Sequence, residues 1–170
     1  VLLGVFHGPA AVAIYSVVDK CKGIMQSGMT PFVELMFTKV SDSENQVKYS
    51  HFRFFIFGFC LCFFGCVFVF IYSSEIVNII AGSEFTQSSD LLKIFSLLPL
   101  VIYTSSYYGL VRLFASGKHS TFNLNLRLAS IVAIFLSVPF VWFGGLHGAI
   151  FLVVLVEILV LMLMIRGNLT

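Results

Sequence analysis

Long apolar runs separated by short polar segments dominate the chain from end to end. A transmembrane helix needs about 20 predominantly apolar residues, and helices that meet this need are predicted at 10–39, 54–80, 91–114, 122–141 and 148–165. The runs do not alternate apolar and polar residues as barrel strands do, so their backbone groups must be hydrogen-bonded within helices. The pattern predicts an all-α integral membrane protein, a single transmembrane domain over 1–170 with about five spanning helices.

Short polar segments separate these runs. They are Val40–Ser50, Gly82–Asp90, Ser116–Thr121 and Phe143–Gly148. Ser89 and Asp90 are residue types that favour a helix N-cap. Val1–Phe6 is predicted to be the end of a preceding helix, closed by His7-Gly8-Pro9. Because no signal-peptide pattern opens the chain, we expect it to begin inside a longer protein.

The composition excludes several classes of protein. Hydrophobic residues make up 59% of the chain and charged residues 11%, whereas a soluble domain has about 25% charged residues. A soluble domain of this length cannot bury so much apolar surface, so an ordinary soluble enzyme and a disordered chain are excluded. The net charge of +2 comes from scattered residues, and no nucleic-acid partner is expected.

Basic residues predict the orientation, because Lys and Arg concentrate on the cytoplasmic side of a membrane protein. With five successive crossings, the residues that fall on one side are Lys39, Lys48, Arg53, Arg112, Lys118, Arg127 and Arg166. The opposite segment, Ser73–Asp90, has no Lys or Arg and carries Glu75, Glu84 and Asp90. The Val40–Ser50 loop and the C-terminus are therefore predicted to face the cytoplasm.

The first predicted helix carries a polar stripe. At 100° per residue, the stripe is expected to hold Tyr15, Asp19, Lys22, Gln26 and Thr30. Lys20 and Glu34 widen it, and Glu157 lies in the middle of the last apolar run. Ionisable side chains inside a membrane are costly and usually face a cavity or a partner. These residues are therefore the candidate lining of a substrate cavity.

Other interpretations of the stripe stay open. Asp19 and Lys22 are three residues apart and could neutralise each other while only holding helices together. The segment could also lie in the interface without crossing, although it is long enough to span even when tilted. Pro31 removes a backbone donor and is expected to kink the helix. Glu157 is expected to pair with a base from the first helix or to stay protonated.

The cysteines and the remaining motifs indicate neither a metal site nor catalysis. Cys60, Cys62 and Cys66 lie within a segment that has no charged residue and no histidine, so they are interpreted as packing residues rather than metal ligands. The sequence contains no phosphate-binding loop, nucleophile elbow or HExxH motif. We therefore expect no catalytic residues, no metal and no cofactor.

Several stretches resemble one family of membrane transporters. The string AIYSVVDKCKGIMQSGMTPFVELMFTKVS, which begins at Ala13, is similar to a segment of Wzx-type O-antigen and polysaccharide flippases. Glu75–Leu98, Gly117-Lys118 and Gly144–Glu157 resemble later stretches of that family in the same order. The resemblance covers nearly the whole chain. Thr38 stands where the family usually has a second proline.

The resemblance implies a fold and a function. Such flippases belong to the multidrug/oligosaccharidyl-lipid/polysaccharide exporter superfamily, with twelve helices in two six-helix bundles, and this chain would be most of the second bundle. The implied activity is translocation of undecaprenyl-pyrophosphate-linked O-antigen or polysaccharide repeat units across the bacterial inner membrane, without catalysis. The implied partners are that oligosaccharide, membrane lipid and the missing N-terminal half of the same polypeptide.

Functions of other classes make different demands on these residues. A drug/cation antiporter of the same superfamily would use a carboxylate such as Asp19, Glu34 or Glu157 for ion coupling. A structural membrane subunit would pack the polar stripe against protein with no cavity. A polysaccharide polymerase is expected to have a large outer loop, and Ser73–Asp90 is too short for one.

Overall fold

The computed structural model describes residues 2–41, 50–85 and 88–169. Within these ranges the chain is helical apart from short turns, and the predicted all-α fold class is confirmed. The stretches that are long and apolar enough to cross a membrane are Leu2–Val40, Phe52–Ile71, Ser88–Phe114 and His119–Leu169. Most of the loop predicted at Val40–Ser50 lies outside the described residues.

Helix α1 (Leu2–Ser41) is broken at Gly8, whose backbone has φ 81° and ψ 175°. Glycine reaches a positive φ without a steric penalty, and the break falls where His7-Gly8-Pro9 was expected to close a preceding helix. Leu2 and Tyr15, on either side of the break, pack against the same apolar cluster, so the chain must reverse at this point. His7 Nε2 donates a hydrogen bond to the Val141 carbonyl at 2.9 Å, and this bond connects the turn to the helix that ends the described chain.

Helices α2 (Ser50–Ile71) and α3 (Ser73–Ala81) follow one another with only Tyr72 between them. Tyr72 has φ −97° and ψ 22°, outside the helical region. The N–H of Tyr72 still donates to the Phe68 carbonyl, and the N–H of Ile76 donates to the Tyr72 carbonyl, each at 2.9 Å. The single helix expected over 54–80 is therefore two helices joined by a local bend.

The third predicted helix consists of α4 (Ser88–Phe95), α5 (Leu98–Ser106) and a π-helix (Tyr107–Phe114). Pro99 lacks a backbone N–H, so the helical ladder cannot pass from α4 into α5 without interruption. Just after the end of α4, the Ser96 hydroxyl donates to the Lys93 carbonyl at 2.6 Å. At the end of the π-helix the Ala115 N–H donates to the Leu110 carbonyl at 3.1 Å. The predicted segment 91–114 thus lies within one spanning stretch, Ser88–Phe114, whose backbone is divided among these three elements.

Helix α6 (His119–Leu169) is a hairpin that reverses at Gly145, where φ is 55° and ψ is −132°. Its two arms contain the segments predicted as helices at 122–141 and 148–165. The side-chain amide of Asn125 on the first arm donates to the Leu163 carbonyl on the second at 2.9 Å, so the arms lie side by side. Gly148 contacts the first arm so closely that a Cβ there would collide with the Phe140 carbonyl.

Apolar clusters hold the helices together. Val18 of α1, Phe95 of α4 and Ile150 of α6 are fully or almost fully buried in one of them. A second cluster joins α1, α2 and α5 through Met36, Cys62, Cys66, Tyr103 and other residues. Large apolar side chains also cover the outside, among them Phe57, Phe64, Phe135 and Phe143. An apolar interior under an apolar exterior is what a lipid environment favours, because a water-soluble surface rarely exposes such patches.

Candidate functional site

In the structure, residues of the polar stripe of α1 and residues of other helices form two groups of side chains. We name the first group the charged cluster; it consists of Tyr15, Asp19, Lys22, Phe95 and Glu157. The second group lines a hollow that we name the polar cavity; its polar and ring-bearing lining residues are Gln26, Thr30, Glu34, Pro99, Tyr103 and Ser106. The apolar residues Met29, Val33, Ile102 and Leu110 complete its lining. At a rise of 1.5 Å per residue, Lys22 and Thr30 are about 12 Å apart along the helix axis.

Lys22 is the centre of the charged cluster. Its Nζ atom lies 2.8 Å from Oδ1 of Asp19, and the same Nζ lies 5.8 Å from the centre of the Phe95 ring. An ammonium at that distance is attracted to the electron-rich face of an aromatic ring. The Lys22 side chain is only 17% exposed, whereas that of Asp19 is 50% exposed. Lys22 is therefore held between its own helix and α4.

Two further side chains converge on the same place. Glu157, on the second arm of α6, is half-buried and interacts electrostatically with Lys22. The Tyr15 ring meets Phe95 edge to face, with ring centres 6.1 Å apart. The cluster thus joins α1 to α4 through Lys22 and Phe95, and Glu157 adds a carboxyl group from α6 within electrostatic reach of Lys22.

The polar cavity lies between α1 and the α5–π-helix stretch and has a volume of about 260 Å³. Gln26, Thr30 and Glu34 are four residues apart and therefore follow one line along α1. Thr30 and Glu34 are exposed, so the cavity opens towards the outside of the described chain. The Thr30 hydroxyl donates to the Gln26 carbonyl at 3.1 Å, which leaves its oxygen lone pairs as acceptors.

The opposite wall of the cavity includes Pro99, Tyr103 and Ser106. The Tyr103 hydroxyl donates to the Phe55 carbonyl of α2 at 3.3 Å, and its ring stacks on the Phe55 ring at 5.6 Å. Gly58 allows this approach, because a Cβ there would collide with the Tyr103 hydroxyl. Tyr103 therefore connects this wall of the cavity to α2.

Sequence reasoning did not assign these wall residues to the site. The hydroxyl-rich segment Tyr103–Tyr108 offered a signal, but small polar residues in a membrane helix serve helix packing as often as binding. In the structure Ser106 lines the cavity, whereas the Ser105 hydroxyl donates to the Ile102 carbonyl of its own helix at 2.9 Å. Phe95 carried no sequence signal, because nothing local distinguishes it from other apolar residues.

Lys20 falls outside both groups. It is exposed, and it neither contributes to the pair formed by Asp19 and Lys22 nor lines the polar cavity. The helical backbone of α1 continues through Pro31. Among the described residues, no group of three or more His, Cys, Asp or Glu side chains is placed to hold a metal ion.

The apolar exterior, the long helices and the polar groups enclosed between them define an all-α, multi-pass membrane protein. The chain is similar to a curated protein of Shigella dysenteriae that carries the description "Putative O-antigen transporter", with 26% identity over 172 aligned residues. The alignment covers 98% of this chain and 42% of that relative. This similarity agrees with the resemblance to the C-terminal portion of a Wzx-type flippase. No family model and no solved structure matches the chain.

Proposed function

We propose that this chain is part of a flippase that moves undecaprenyl-pyrophosphate-linked oligosaccharide repeat units across the bacterial inner membrane. The observation that carries the proposal is the similarity to a relative described as an O-antigen transporter, which extends along 98% of the chain. The proposed role is transport without catalysis. The helices long enough to span a membrane support it.

The charged cluster supplies a cation for the anionic part of such a substrate. An ammonium has three donors, and one contact of Lys22 Nζ, at 2.8 Å, is to Asp19. Lys22 can therefore keep Asp19 as a partner while it binds an oxygen of the pyrophosphate. The polyprenyl tail needs no polar surface and can stay in lipid. In this proposal Lys22 binds the substrate, and Asp19 and Glu157 hold its ammonium in place.

A second helical bundle would complete the transport pathway. The chain spans 42% of the length of the curated relative, and we propose that the remaining part of the full-length protein faces the polar stripe of α1. Asp19, Lys20, Thr30 and Glu34 are exposed in the described chain, which fits a surface that lines a space between bundles. Rocking of the two bundles would alternate access between the two sides, with the C-terminus in the cytoplasm.

Surface polysaccharide in a flippase-deficient bacterium tests this function. The full-length protein that carries this chain should restore O-antigen export in a host that makes the matching repeat unit, and the 170-residue chain alone should not. Restoration by the chain alone would contradict the two-bundle arrangement. Failure of the full-length protein at normal membrane levels would contradict the flippase.

A drug or cation antiporter is the second candidate, because two carboxylates, Asp19 and Glu157, interact with the Lys22 ammonium. Such an antiporter would couple drug export to ion or proton exchange at one of these carboxylates. Drug resistance gained by efflux-deficient cells that express the full-length protein, without restored O-antigen, would favour this candidate over the flippase.

A further inference from the structure

We infer that the polar cavity is a subsite for one sugar ring of the substrate, and that Glu34 makes it favour neutral or amino sugars over uronic acids. The inference rests on the proposed flippase function and adds a sugar specificity to it. It also separates two tasks along α1, since the pyrophosphate is assigned to Lys22 and the sugar to the polar cavity.

The size of the cavity fits a single ring. Its volume of about 260 Å³ is slightly below the range of roughly 300–1,000 Å³ in which proteins hold drug-sized ligands. A complete oligosaccharide would not fit, whereas one sugar could enter from the open side next to Thr30 and Glu34. The remaining sugars would then lie in the space between the bundles.

The charge of the cavity excludes an anionic group. Glu34 supplies the only formal charge among the described residues that line it. Lys22, the cation assigned to the pyrophosphate, is about 18 Å from Glu34 along the helix axis. A phosphate or a uronate carboxylate in the cavity would be repelled by Glu34, because a ligand held there lies within the Debye length of the Glu34 carboxylate. Sugar hydroxyls are donors, and a carboxylate accepts two of them at once.

The hydrogen-bonding groups of the cavity are available for a ligand. Within the described ranges, the Gln26 amide, the Glu34 carboxylate and the Ser106 hydroxyl have no hydrogen-bond or ion-pair partner. Gln26 and Ser106 are half-buried and Glu34 is exposed, and a sugar ring offers donors and acceptors that can replace water at all three. The Tyr103 hydroxyl is already bonded to Phe55, so Tyr103 and Pro99 contribute ring surface on which the C–H face of a sugar can pack.

Export of two repeat units tests the subsite. The full-length protein is expressed in flippase-deficient hosts that make either a neutral repeat unit or one containing a uronic acid, and surface polysaccharide is measured relative to membrane levels of the protein. The wild type should export the neutral unit better. Glu34→Gln should lower the neutral-to-acidic export ratio about tenfold, the usual effect of losing a charged hydrogen-bond partner. Glu84→Gln makes the same change in an exposed turn and should leave the ratio unchanged.

Each outcome decides a different point. A wild-type protein that exports neither unit contradicts the flippase proposal itself. If the wild type exports both units equally, or Glu34→Gln keeps the wild-type ratio, the subsite is wrong and the flippase stands. If Glu34→Gln does not reach the membrane, Ser106→Ala on the opposite wall of the cavity tests the subsite instead. It should reduce neutral export several-fold, and unchanged export would overturn the subsite.

Discussion

Two aspartate–lysine pairs in this protein have the same spacing and the same length but different surroundings. In α1 the pair is Asp19–Lys22, and in α4 it is Asp90–Lys93. Both have the lysine three residues after the aspartate, with Nζ 2.8 Å from Oδ1. Lys22 is 17% exposed and lies against Phe95. Lys93 is 40% exposed, and its partner Asp90 is 80% exposed.

The comparison shows that surroundings, rather than pair geometry, decide what such a pair can do. An ion pair in contact with water contributes little, because solvent and salt satisfy each charge separately. A pair removed from water depends on its partners, and the loss of one partner leaves a charge that nothing satisfies. Lys22 also contacts the Phe95 ring of α4, so the loss of Lys22 removes a contact between two helices as well as a charge.

Lys22→Ala in the full-length protein should have the largest effect. It removes the cation assigned to the pyrophosphate, so export should fall by about tenfold to a hundredfold while membrane levels stay near normal. Lys22→Arg should keep part of the activity, because the charge persists although its shape changes. Met25→Leu, a volume-conserving change on the apolar side of α1, should be nearly silent. An export loss no larger than that of Lys93→Ala would remove the contrast between the two pairs.

The double change Asp19→Ala with Lys22→Ala should be as defective as Lys22→Ala alone, since the substrate still lacks its cation. The same export assay measures it. If the pair only holds helices together, removing both charges should repair the damage left by one unpaired charge. Recovery of export in the double variant would therefore refute the binding role of Lys22.

Gly58→Ala should lower the stability of the protein through packing, without changing any charge. The added methyl group would collide with the Tyr103 hydroxyl, and overpacking of this kind costs about 1–3 kcal/mol of folding free energy. Thermal unfolding of the purified protein in detergent should show the loss. Gly65→Ala, in the same helix but with open space around it, is the matched control. Equal unfolding temperatures for the two variants would contradict the close contact between α2 and α5.

Lys93→Ala should have the smallest effect. Its pair with Asp90 lies at an exposed helix end, where water replaces the partner of either charge. Export and the unfolding temperature should both equal those of the wild type within experimental scatter. A loss comparable to that of Lys22→Ala would show that the two pairs work alike.

The sequence was sufficient to predict the all-α membrane fold class, because long apolar runs are a local property of the chain. The spacing of Gln26, Thr30 and Glu34 predicts a shared face at 100° per residue, and the structure places all three along one cavity. The contact of Lys22 with Phe95 could not be predicted. It depends on how α4 packs against α1, which no local pattern specifies.

The third spanning stretch shows the other limit of sequence reasoning. Hydropathy predicts its length, but Pro99 divides it and the π-helix alters its register. The side-chain amide of Asn168, far along the chain, donates to the Tyr108 carbonyl inside the π-helix at 2.9 Å. Such a partner supplies a hydrogen bond to a backbone carbonyl in an irregular helix within lipid. Because the partner is far away in the sequence, no local pattern can predict it.

The reversal at Gly145 makes the two arms of α6 a helical hairpin, and we expect this hairpin to enter the bilayer as one unit during biosynthesis. The Asn125–Leu163 hydrogen bond and the close approach at Gly148 lie within that pair, so it can assemble before it meets the rest of the bundle. The second arm brings Glu157, whose charge alone would cost about 2.5–3.5 kcal/mol at the bilayer centre. Lys22 is synthesised far earlier than Glu157, and Asp19, which precedes it by three residues, supplies its counter-charge until the last helix arrives.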